Sequence, residues 1–280
     1  MFKSFDHYLK ILLFTIVICF EIGCSPKLSN SKKNYTDSSI ESGSDILNNI
    51  YQKQTLRVGT TGDFKPFSYI IDSTGNYTGI DIKMGKDLAK SLGVKVEFIE
   101  TSWPTLMSDL MENKFDIGMC GITITPERKK TSFFSIPVYS SGKAAITRDE
   151  NALKYNSIEK INNKEVRVIF NPGGTNEAFA RANFPEATLI LNEDNLSIFQ
   201  KLVVNEADVM VTDAIETLIQ QQIHKELAAV NPNAPFNSFD FGYLLPKDSI
   251  FKTVVDNWLL EKKKDSLLIK LLHKEINKHQ

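Results

Sequence analysis

The segments LRVGTT (56–61) and GIDIKMGKDLAKSLGVKVEF (79–98) decide the fold, because their hydrophobic periodicity changes from strand to helix and back. The first segment predicts a β-strand. In the second, large apolar residues recur every four positions up to Gly93, which predicts one face of a helix that ends in a left-handed glycine cap. Residues 94–98 then alternate between apolar and charged side chains, so a second strand follows. This order of elements is typical of an α/β domain.

The same alternation continues along the chain in two similar cycles. The first cycle adds a helix that carries Leu106 and Leu110 and a short strand at 115–120. The second cycle begins near Asn156, where Ser157 can cap a short helix. Its strands are predicted at 166–170, 187–191 and 207–212, and its helices at 176–183, 196–204 and 213–224.

Two such cycles predict an α/β protein of two βαβ lobes joined by a two-strand hinge. Lobe 1 is expected to contain residues 54–146 and 242–280, and lobe 2 residues 147–241. Segments 143–147 and 239–245 stand at the boundaries of the second cycle, so they are expected to cross between the lobes. The helices that follow the second crossing are expected to return to lobe 1.

The composition excludes several functional classes. The chain has 280 residues and a formal net charge of -1, and it has no long block of basic residues that could bind nucleic acid. Its three cysteines and four histidines are not spaced as metal ligands. No metal site, organic cofactor or disulfide is therefore expected in the folded body.

The first 24 residues are predicted to be a lipoprotein-type signal peptide. Their apolar run, 11–20, is much shorter than the about 20 residues that a membrane-spanning helix needs. The run ends before Cys24, which is expected to be the cleavage site and to carry lipid, with ordinary cleavage or a retained anchor as alternatives because Glu21 departs from the usual pattern. Residues 25–50 are predicted to be a flexible tether. The protein is therefore expected to be exported, in the periplasm or on the outer face of a membrane.

Candidate binding residues follow the strands of the first cycle, because ligands of open α/β sheets bind beyond the carboxyl ends of the strands. Asp63 and Phe64 follow the first strand, and Thr123 and Arg128 follow the third. The guanidinium of Arg128 could hold a carboxylate through two hydrogen bonds, although an exposed arginine is the alternative. Trp103 and Phe64 could form a wall against a cyclic ligand, although aromatic residues more often belong to the core.

The second cycle offers two further groups of candidates. Asn171 precedes a glycine-rich turn, and the helix that starts at Gly174 and Thr175 could bind an anion, with a simple capped turn as the alternative. Asp213 and Glu216 fit a capping box, in which both side chains bind helix N–H groups. Asp213 could instead bind an ammonium group, and Glu216 could donate a proton if burial raises its pKa above the lowering effect of the helix N-terminus.

The chain resembles the type II periplasmic binding proteins for amino acids from about residue 56 to residue 260. In this resemblance Arg128 takes the place of the arginine that binds the ligand carboxylate, and Asp213 that of the aspartate that binds the ligand amine. The motifs that carry it are LRVGTTGDFKPFSY (56–69), GIDIKMGKDLAKSLG (79–93) and GITITPERKK (121–130).

A narrower resemblance, to the cyclohexadienyl dehydratases, depends on longer motifs. It implies Glu216 as the general acid, Lys143 and Asn171 as the residues that orient the substrate, Trp103 as a shield, and Arg128 with Thr175 as a carboxylate site. The motifs are TSWPTLM (101–107), FSIP (134–137), SGK (141–143), NPGGTNEAFARANF (171–184), VTDAIE (211–216) and YLLP (243–246). Thr125 and Pro126 depart from the dehydratase pattern, since they match the version that is common in transport receptors.

The narrower resemblance implies a lyase that converts prephenate to phenylpyruvate, or arogenate to phenylalanine, by loss of water and carbon dioxide. The alternative is an amino-acid-binding lipoprotein that delivers its ligand to the permease of an ABC importer. Either function requires a small carboxylate ligand. A sensor input module is not expected, because the C-terminal region shows no segment that could signal across a membrane.

Overall fold

The computed structural model describes residues 44–71 and 75–277. The predicted signal peptide with Cys24, and residues 25–43 of the predicted tether, lie outside the described residues. The helices of the described part are α1 Asp45–Lys53, α2 Ile80–Leu92, α3 Leu106–Met111, α4 Pro126–Thr131, α5 Ile158–Ile161, α6 Thr175–Asn183, α7 Ile198–Val203, α8 Ala214–Ile223, α9 Ser249–Lys264 and α10 Leu267–Ile276.

The strands alternate with these helices, which confirms the predicted α/β class. Strands in the first part of the chain are β1 Thr55–Thr60, β2 Asp63–Phe64, β3 Ser68–Ile70, β4 Tyr77–Thr78, β5 Lys95–Glu100, β6 Ile117–Gly118, β7 Phe133–Phe134, β8 Tyr139–Ser141 and β9 Lys143–Arg148. The later strands are β10 Arg167–Phe170, β11 Thr188–Leu191, β12 Val209–Asp213, β13 Leu227–Val230, β14 Phe239–Phe241 and β15 Leu244–Leu245.

The first lobe is built on a five-stranded sheet in the order β5, β1, β6, β15, β7. β1 pairs in parallel with β5 and β6, whereas β15 pairs antiparallel with β6 and β7. The C-terminal segment therefore returns to this lobe, as predicted. The helix that follows β15, α9, inserts Phe251 and Leu259 into the core that Leu56 and Val58 of β1 occupy.

The second lobe has a sheet of the same size in the order β11, β10, β12, β9, β13. β10 is parallel to β11 and β12, and β9 runs antiparallel to β12 and β13. Alternate residues of β12 pack on opposite faces, with Val209 and Val211 in one core cluster and Met210 in another. Because helices cover both faces, β12 is buried along its whole length.

The predicted crossing at residues 143–147 is wrong, and the chain crosses a few residues earlier. β8 pairs antiparallel with β14, away from both main sheets, and these two strands form the hinge. Lys143 to Arg148 is instead an inner strand of the second sheet. The run of small and β-branched residues after Lys143 is buried on both faces, as an inner strand requires, so the boundary lies before residue 143 and not after residue 146.

The last residues of the predicted tether are helical. Ser44 caps α1 by accepting a hydrogen bond from the Leu47 N–H at 3.0 Å, and its hydroxyl donates to Asp248. Ile50 is 1 % exposed and belongs to the first-lobe core. Apolar residues at positions 46, 47 and 50 give this helix a buried face, so its burial offsets the entropy of ordering a polar segment.

No helix within residues 44–71 and 75–277 is both long and apolar enough to cross a bilayer.

Replacing Ile50 with Ala is expected to lower the free energy of unfolding by about 2–4 kcal/mol, because the substitution leaves a cavity under α1. Urea denaturation of the exported domain measures this change. The control is Tyr51→Ala in the same helix, where the side chain is 46 % exposed and a much smaller loss is expected. Equal, small losses in both variants would mean that α1 does not belong to the folded core.

Candidate active site

The carboxyl ends of the central strands of both lobes face a shared small cavity. The first lobe contributes residues after β1, β5 and β6, and the second contributes residues after β10, after β11 and around the end of β12. The lining residues are Phe64, Trp103, Gly121, Thr123, Asn171, Thr175, Asn176, Asn195, Asp213 and Glu216. Seven of the predicted site residues are in this set, and the structure places Lys143 in direct contact with it.

Lys143 is the centre of the polar network on the second-lobe side. Antiparallel pairing of β9 with β12 sets Lys143 directly opposite Asp213. The ammonium of Lys143 donates to Asp213 Oδ1 at 2.7 Å, to Thr175 Oγ1 at 2.9 Å and to Asn176 Oδ1. With 1 % of the residue exposed, the three N–H groups of Lys143 are all bound to protein oxygens.

A chain of hydrogen bonds leads from Lys143 to Glu216. Asn176, whose oxygen accepts from Lys143, donates from Nδ2 to Asn171 Oδ1 and to Thr212 Oγ1, both at 3.1 Å. The Thr212 hydroxyl in turn donates to Glu216 Oε2 at 2.5 Å. Each member therefore has a defined orientation, because its donors and acceptors are used by its neighbours.

Glu216 lies in the first turn of α8 and is 1 % exposed. The pKa of Glu216 is raised to about 8, chiefly by burial. The Thr212 hydrogen bond and the charge of Lys143 oppose the shift, and the negative charges of Asp213 and Asp63 add to it. Burial therefore outweighs the helix N-terminus, which favours the charged form. At neutral pH this carboxyl group is protonated.

The two oxygens of Glu216 have different surroundings. Oε2 accepts the hydrogen bond from Thr212, whereas Oε1 is buried and has no hydrogen-bond partner among the described residues. The acid hydrogen is therefore placed on Oε1, the oxygen that is free to act on a molecule in the cavity. A buried acid with one free oxygen has the form of a general acid.

The alternative of a capping box at Asp213 and Glu216 is wrong. Asp213 is the N-cap residue of α8, but its side chain makes no hydrogen bond to a helix N–H. The carboxylate binds Lys143 instead, and the first N–H of the helix, that of Ala214, donates to the carbonyl of Gly142. The carbonyl of Gly142, just before β9, thus caps the helix and leaves both carboxyl groups for other contacts.

Asp63 joins the two lobes at the edge of the cavity. Trp103 Nε1 donates to both carboxylate oxygens of Asp63 at 3.1 Å. From the second lobe, Asn195 Nδ2 donates to the carbonyl and to Oδ2 of Asp63, both at 3.2 Å. Burial raises the pKa of Asp63, and these hydrogen bonds oppose that shift.

A second contact between the lobes is made by the glycine-rich turn. Gly173 has a left-handed backbone, with φ of +76°, and lies so close to Pro104 that a Cβ atom would stand 2.5 Å from the Pro104 backbone. Gly174, the N-cap residue of α6, lies beside Trp103 and Asn171. The lobes are therefore closed on each other around the cavity.

Arg128 stands behind the cavity wall. It is held by α4, which Thr125 caps, and its Nη1 donates to the carbonyl of Thr123 at 2.9 Å. Its other guanidinium N–H groups have no hydrogen-bond partner in the described part of the chain. Burial lowers the pKa of Arg128, and the charge of Asp213 opposes the shift. A carboxylate near Thr123 could accept hydrogen bonds from the free N–H groups of Arg128.

Phe64 and Trp103 are part of the hydrophobic core and also line the cavity. Their rings meet edge to face with centroids 6.0 Å apart, and Phe64 also contacts Phe241 of the hinge strand β14 in the same manner. Each ring packs on one side against the core and faces the cavity on the other. Both rings therefore belong to the core and to the apolar wall of the cavity.

Three residues of the site were missed by the sequence analysis: Asn176, Asn195 and Thr212. Asn176 and Thr212 stand one residue away from the predicted Thr175 and Asp213, so the same motifs contained them. Asn195 begins a short 3-10 helix, Asn195–Ser197, between β11 and α7, which no motif marked.

Comparison with known proteins gives a consistent result. The family described as bacterial extracellular solute-binding proteins, family 3, matches residues 56–278. The chain is 45 % identical to a cyclohexadienyl dehydratase of Pseudomonas aeruginosa over 257 residues, which are 92 % of this chain and 89 % of that protein. It is 30 % identical to the L-cystine-binding protein TcyJ of Escherichia coli over 82 % of this chain and 85 % of that protein.

Two solved structures extend the comparison. The first is an ancestral amino-acid-binding protein described as a precursor of cyclohexadienyl dehydratase, with a TM-score of 0.77, 40 % identity and coverage of 82 % of this chain and 99 % of that chain. The second is an ancestral cyclohexadienyl dehydratase with a TM-score of 0.53, 49 % identity and coverage of 84 % and 98 %.

Replacing Thr212 with Val is expected to raise the pKa of Glu216 above about 8, because the charged form loses the hydroxyl hydrogen bond that stabilises it. The ¹³C shift of the labelled Glu216 carboxyl group, followed against pH, measures the change. Thr217→Val is the control, since Thr217 is equally buried in α8 but donates to the carbonyl of Ala214. An unchanged or lower pKa in Thr212→Val would contradict the assigned direction of the hydrogen bond.

Proposed function

The chain belongs to family 3 of the bacterial extracellular solute-binding proteins, and we propose that within this family it is a cyclohexadienyl dehydratase with Glu216 as its general acid. The observation that carries the proposal is the buried, protonated Glu216, whose Oε1 faces the interlobe cavity without a partner. The 45 % identity to the Pseudomonas aeruginosa dehydratase over nearly the whole chain supports the same activity.

The reaction consumes one proton. It expels two leaving groups, water and carbon dioxide, from opposite positions of the substrate ring. Glu216 Oε1 transfers its proton to the ring hydroxyl while the bond between carbon and oxygen breaks, and water leaves. The bond between the ring and its carboxylate breaks at the same time, and its electron pair enters the ring as carbon dioxide departs. Aromatisation supplies the driving force, and no net oxidation or reduction occurs.

The remaining residues position the substrate. Arg128, Thr123 and Thr175, with the N–H groups at Gly174, are proposed to hold carboxylate oxygens of the substrate, since they supply donors around the cavity. Lys143 and Asn171 are proposed to hold the network that orients Glu216 and the leaving group.

The wall and the lobe contact are proposed to exclude water. Phe64 and Trp103 shield the ring, and Asp63 keeps the lobes together while the reaction proceeds. Because a dry site strengthens electrostatic interactions and keeps the acid neutral, closure supports both binding and proton transfer.

An amino-acid receptor is the second candidate, and the structural match to an ancestral amino-acid-binding protein favours it. In such a receptor Asp213 would bind the ammonium of the ligand. Here Nζ of Lys143 already forms an ion pair with Asp213 Oδ1 at 2.7 Å. The ammonium group of Lys143 would repel the ammonium group of a ligand. The ion pair therefore favours a substrate that is bound through its carboxylates.

We also propose that the protein is exported and carries lipid at Cys24. The family's description as extracellular supports export. Anchoring would keep the domain at the membrane surface, and in the receptor alternative it would keep the domain beside the permease of an importer.

Replacing Glu216 with Gln is expected to reduce turnover of prephenate about 10²–10⁴-fold, since the amide keeps the shape but cannot donate the proton. The absorbance of phenylpyruvate measures turnover, and calorimetry measures prephenate binding, which is expected to be largely retained. Glu226→Gln, in the exposed turn that follows α8, serves as the control with normal turnover. Normal rates in Glu216→Gln would show that this residue is not the acid.

Natural L-amino acids are expected to leave the melting temperature of the protein almost unchanged, because Asp213 is already paired with Lys143. A receptor given a thousandfold excess of ligand over Kd would gain about 4 kcal/mol of stability. A thermal-shift screen of amino acids beside prephenate separates the two outcomes. Strong stabilisation by an amino acid, combined with absence of phenylpyruvate formation, would establish the receptor instead.

A further inference from the structure

Two of the residues that line the cavity carry a buried polar atom without a hydrogen-bond partner in the described structure. They are Glu216, at Oε1, and Asn195, at Oδ1. Asn195 is 8 % exposed, so bulk solvent has little access to its side chain. A buried acceptor that stays unsatisfied destabilises a protein, so this position is suited to a ligand that supplies the donor.

The orientation of the Asn195 amide is determined by Asp63. Its nitrogen faces two oxygens, the carbonyl and Oδ2 of Asp63, and only an amide nitrogen can donate to both. The opposite orientation would place three acceptors together. Oδ1 therefore faces away from Asp63 and is available as an acceptor.

We infer that Asn195 recognises the ring hydroxyl of the substrate by accepting its hydrogen at Oδ1. The inference rests on the proposed function. A hydroxyl group is at once an acceptor and a donor, and the cavity offers the complement of both, the acid hydrogen on Glu216 Oε1 and the free acceptor Oδ1 of Asn195. Carboxylates, which only accept, are not suited to Oδ1.

In the proposed reaction, Asn195 holds the leaving group while Glu216 protonates it. The proton moves from Glu216 Oε1 to the hydroxyl oxygen, and the electron pair of the breaking carbon–oxygen bond moves to the same oxygen. The original hydroxyl hydrogen remains on this oxygen and stays bound to Asn195. The water that forms is thus held by both residues, and Asn195 acts as a positioning residue that touches the leaving group.

The same side chain closes the lobes, because its Nδ2 binds Asp63 of the first lobe. Recognition of the hydroxyl and closure of the cleft are therefore two functions of one amide. A substrate without the hydroxyl could still bind its carboxylates, but it would leave Oδ1 unsatisfied in the closed form.

The test uses two ligands that differ by one group, 4-hydroxyphenylpyruvate and phenylpyruvate, with Kd measured by calorimetry. The unaltered protein is expected to bind the hydroxylated ligand about fivefold to tenfold more tightly, and in Asn195→Ala this preference is expected to fall markedly, to the part that the Glu216 hydrogen bond supplies. Absence of any preference in the unaltered protein, or an unchanged preference in Asn195→Ala, would overturn the inference.

Asp63→Ala separates recognition from closure. This variant loses the side-chain contact between the lobes but keeps Oδ1 of Asn195. Both ligands are therefore expected to bind more weakly, while the ratio of their Kd values stays the same. If the ratio collapses in Asp63→Ala, the preference reports closure alone and the inference is wrong. Absence of prephenate turnover in the unaltered protein would contradict the proposed function itself, which these binding ratios do not measure.

Discussion

The ion pair between Lys143 and Asp213 is the interaction on which the rest of the site depends. The two residues face each other on the neighbouring inner strands β9 and β12, where both side chains are buried. A pair of charges buried in this way is costly unless further hydrogen bonds complete it. Thr175 and Asn176 supply those bonds from the start of α6, so the pair also attaches that helix to the sheet.

The electrostatic balance of the cavity follows from this pair. Because Asp213 neutralises most of the charge of Lys143, the ammonium lowers the pKa of Glu216 less than an unpaired cation would. Burial then prevails and Glu216 keeps its proton. The network through Asn176 and Thr212 determines which oxygen carries that proton. The fold of a binding protein thereby contains a protonated carboxyl group, that of Glu216, which ligand binding alone would not require.

The sequence predicted the architecture well because period-two and period-3.6 patterns are strong in both lobes. It misplaced the hinge because an inner strand such as β9 and a crossing strand have similar apolar composition, and only pairing distinguishes them. It assigned residues 45–50 to the tether because their polar composition concealed a short apolar face. Asn176, Asn195 and Thr212 were missed for a different reason. Their importance lies in contacts between elements, and single amides and hydroxyls give no periodic signal.

The glycine at position 173 has a consequence for how such a cleft can be tuned. The backbone of Gly173 lies so close to Pro104 of the opposite lobe that no Cβ atom fits between them. The absence of a side chain at Gly173 therefore sets the distance between the lobes at this contact. Any larger residue would act as a wedge at the rim. A substitution at position 173 can thus change the population of the closed state without any change to the residues of the active site.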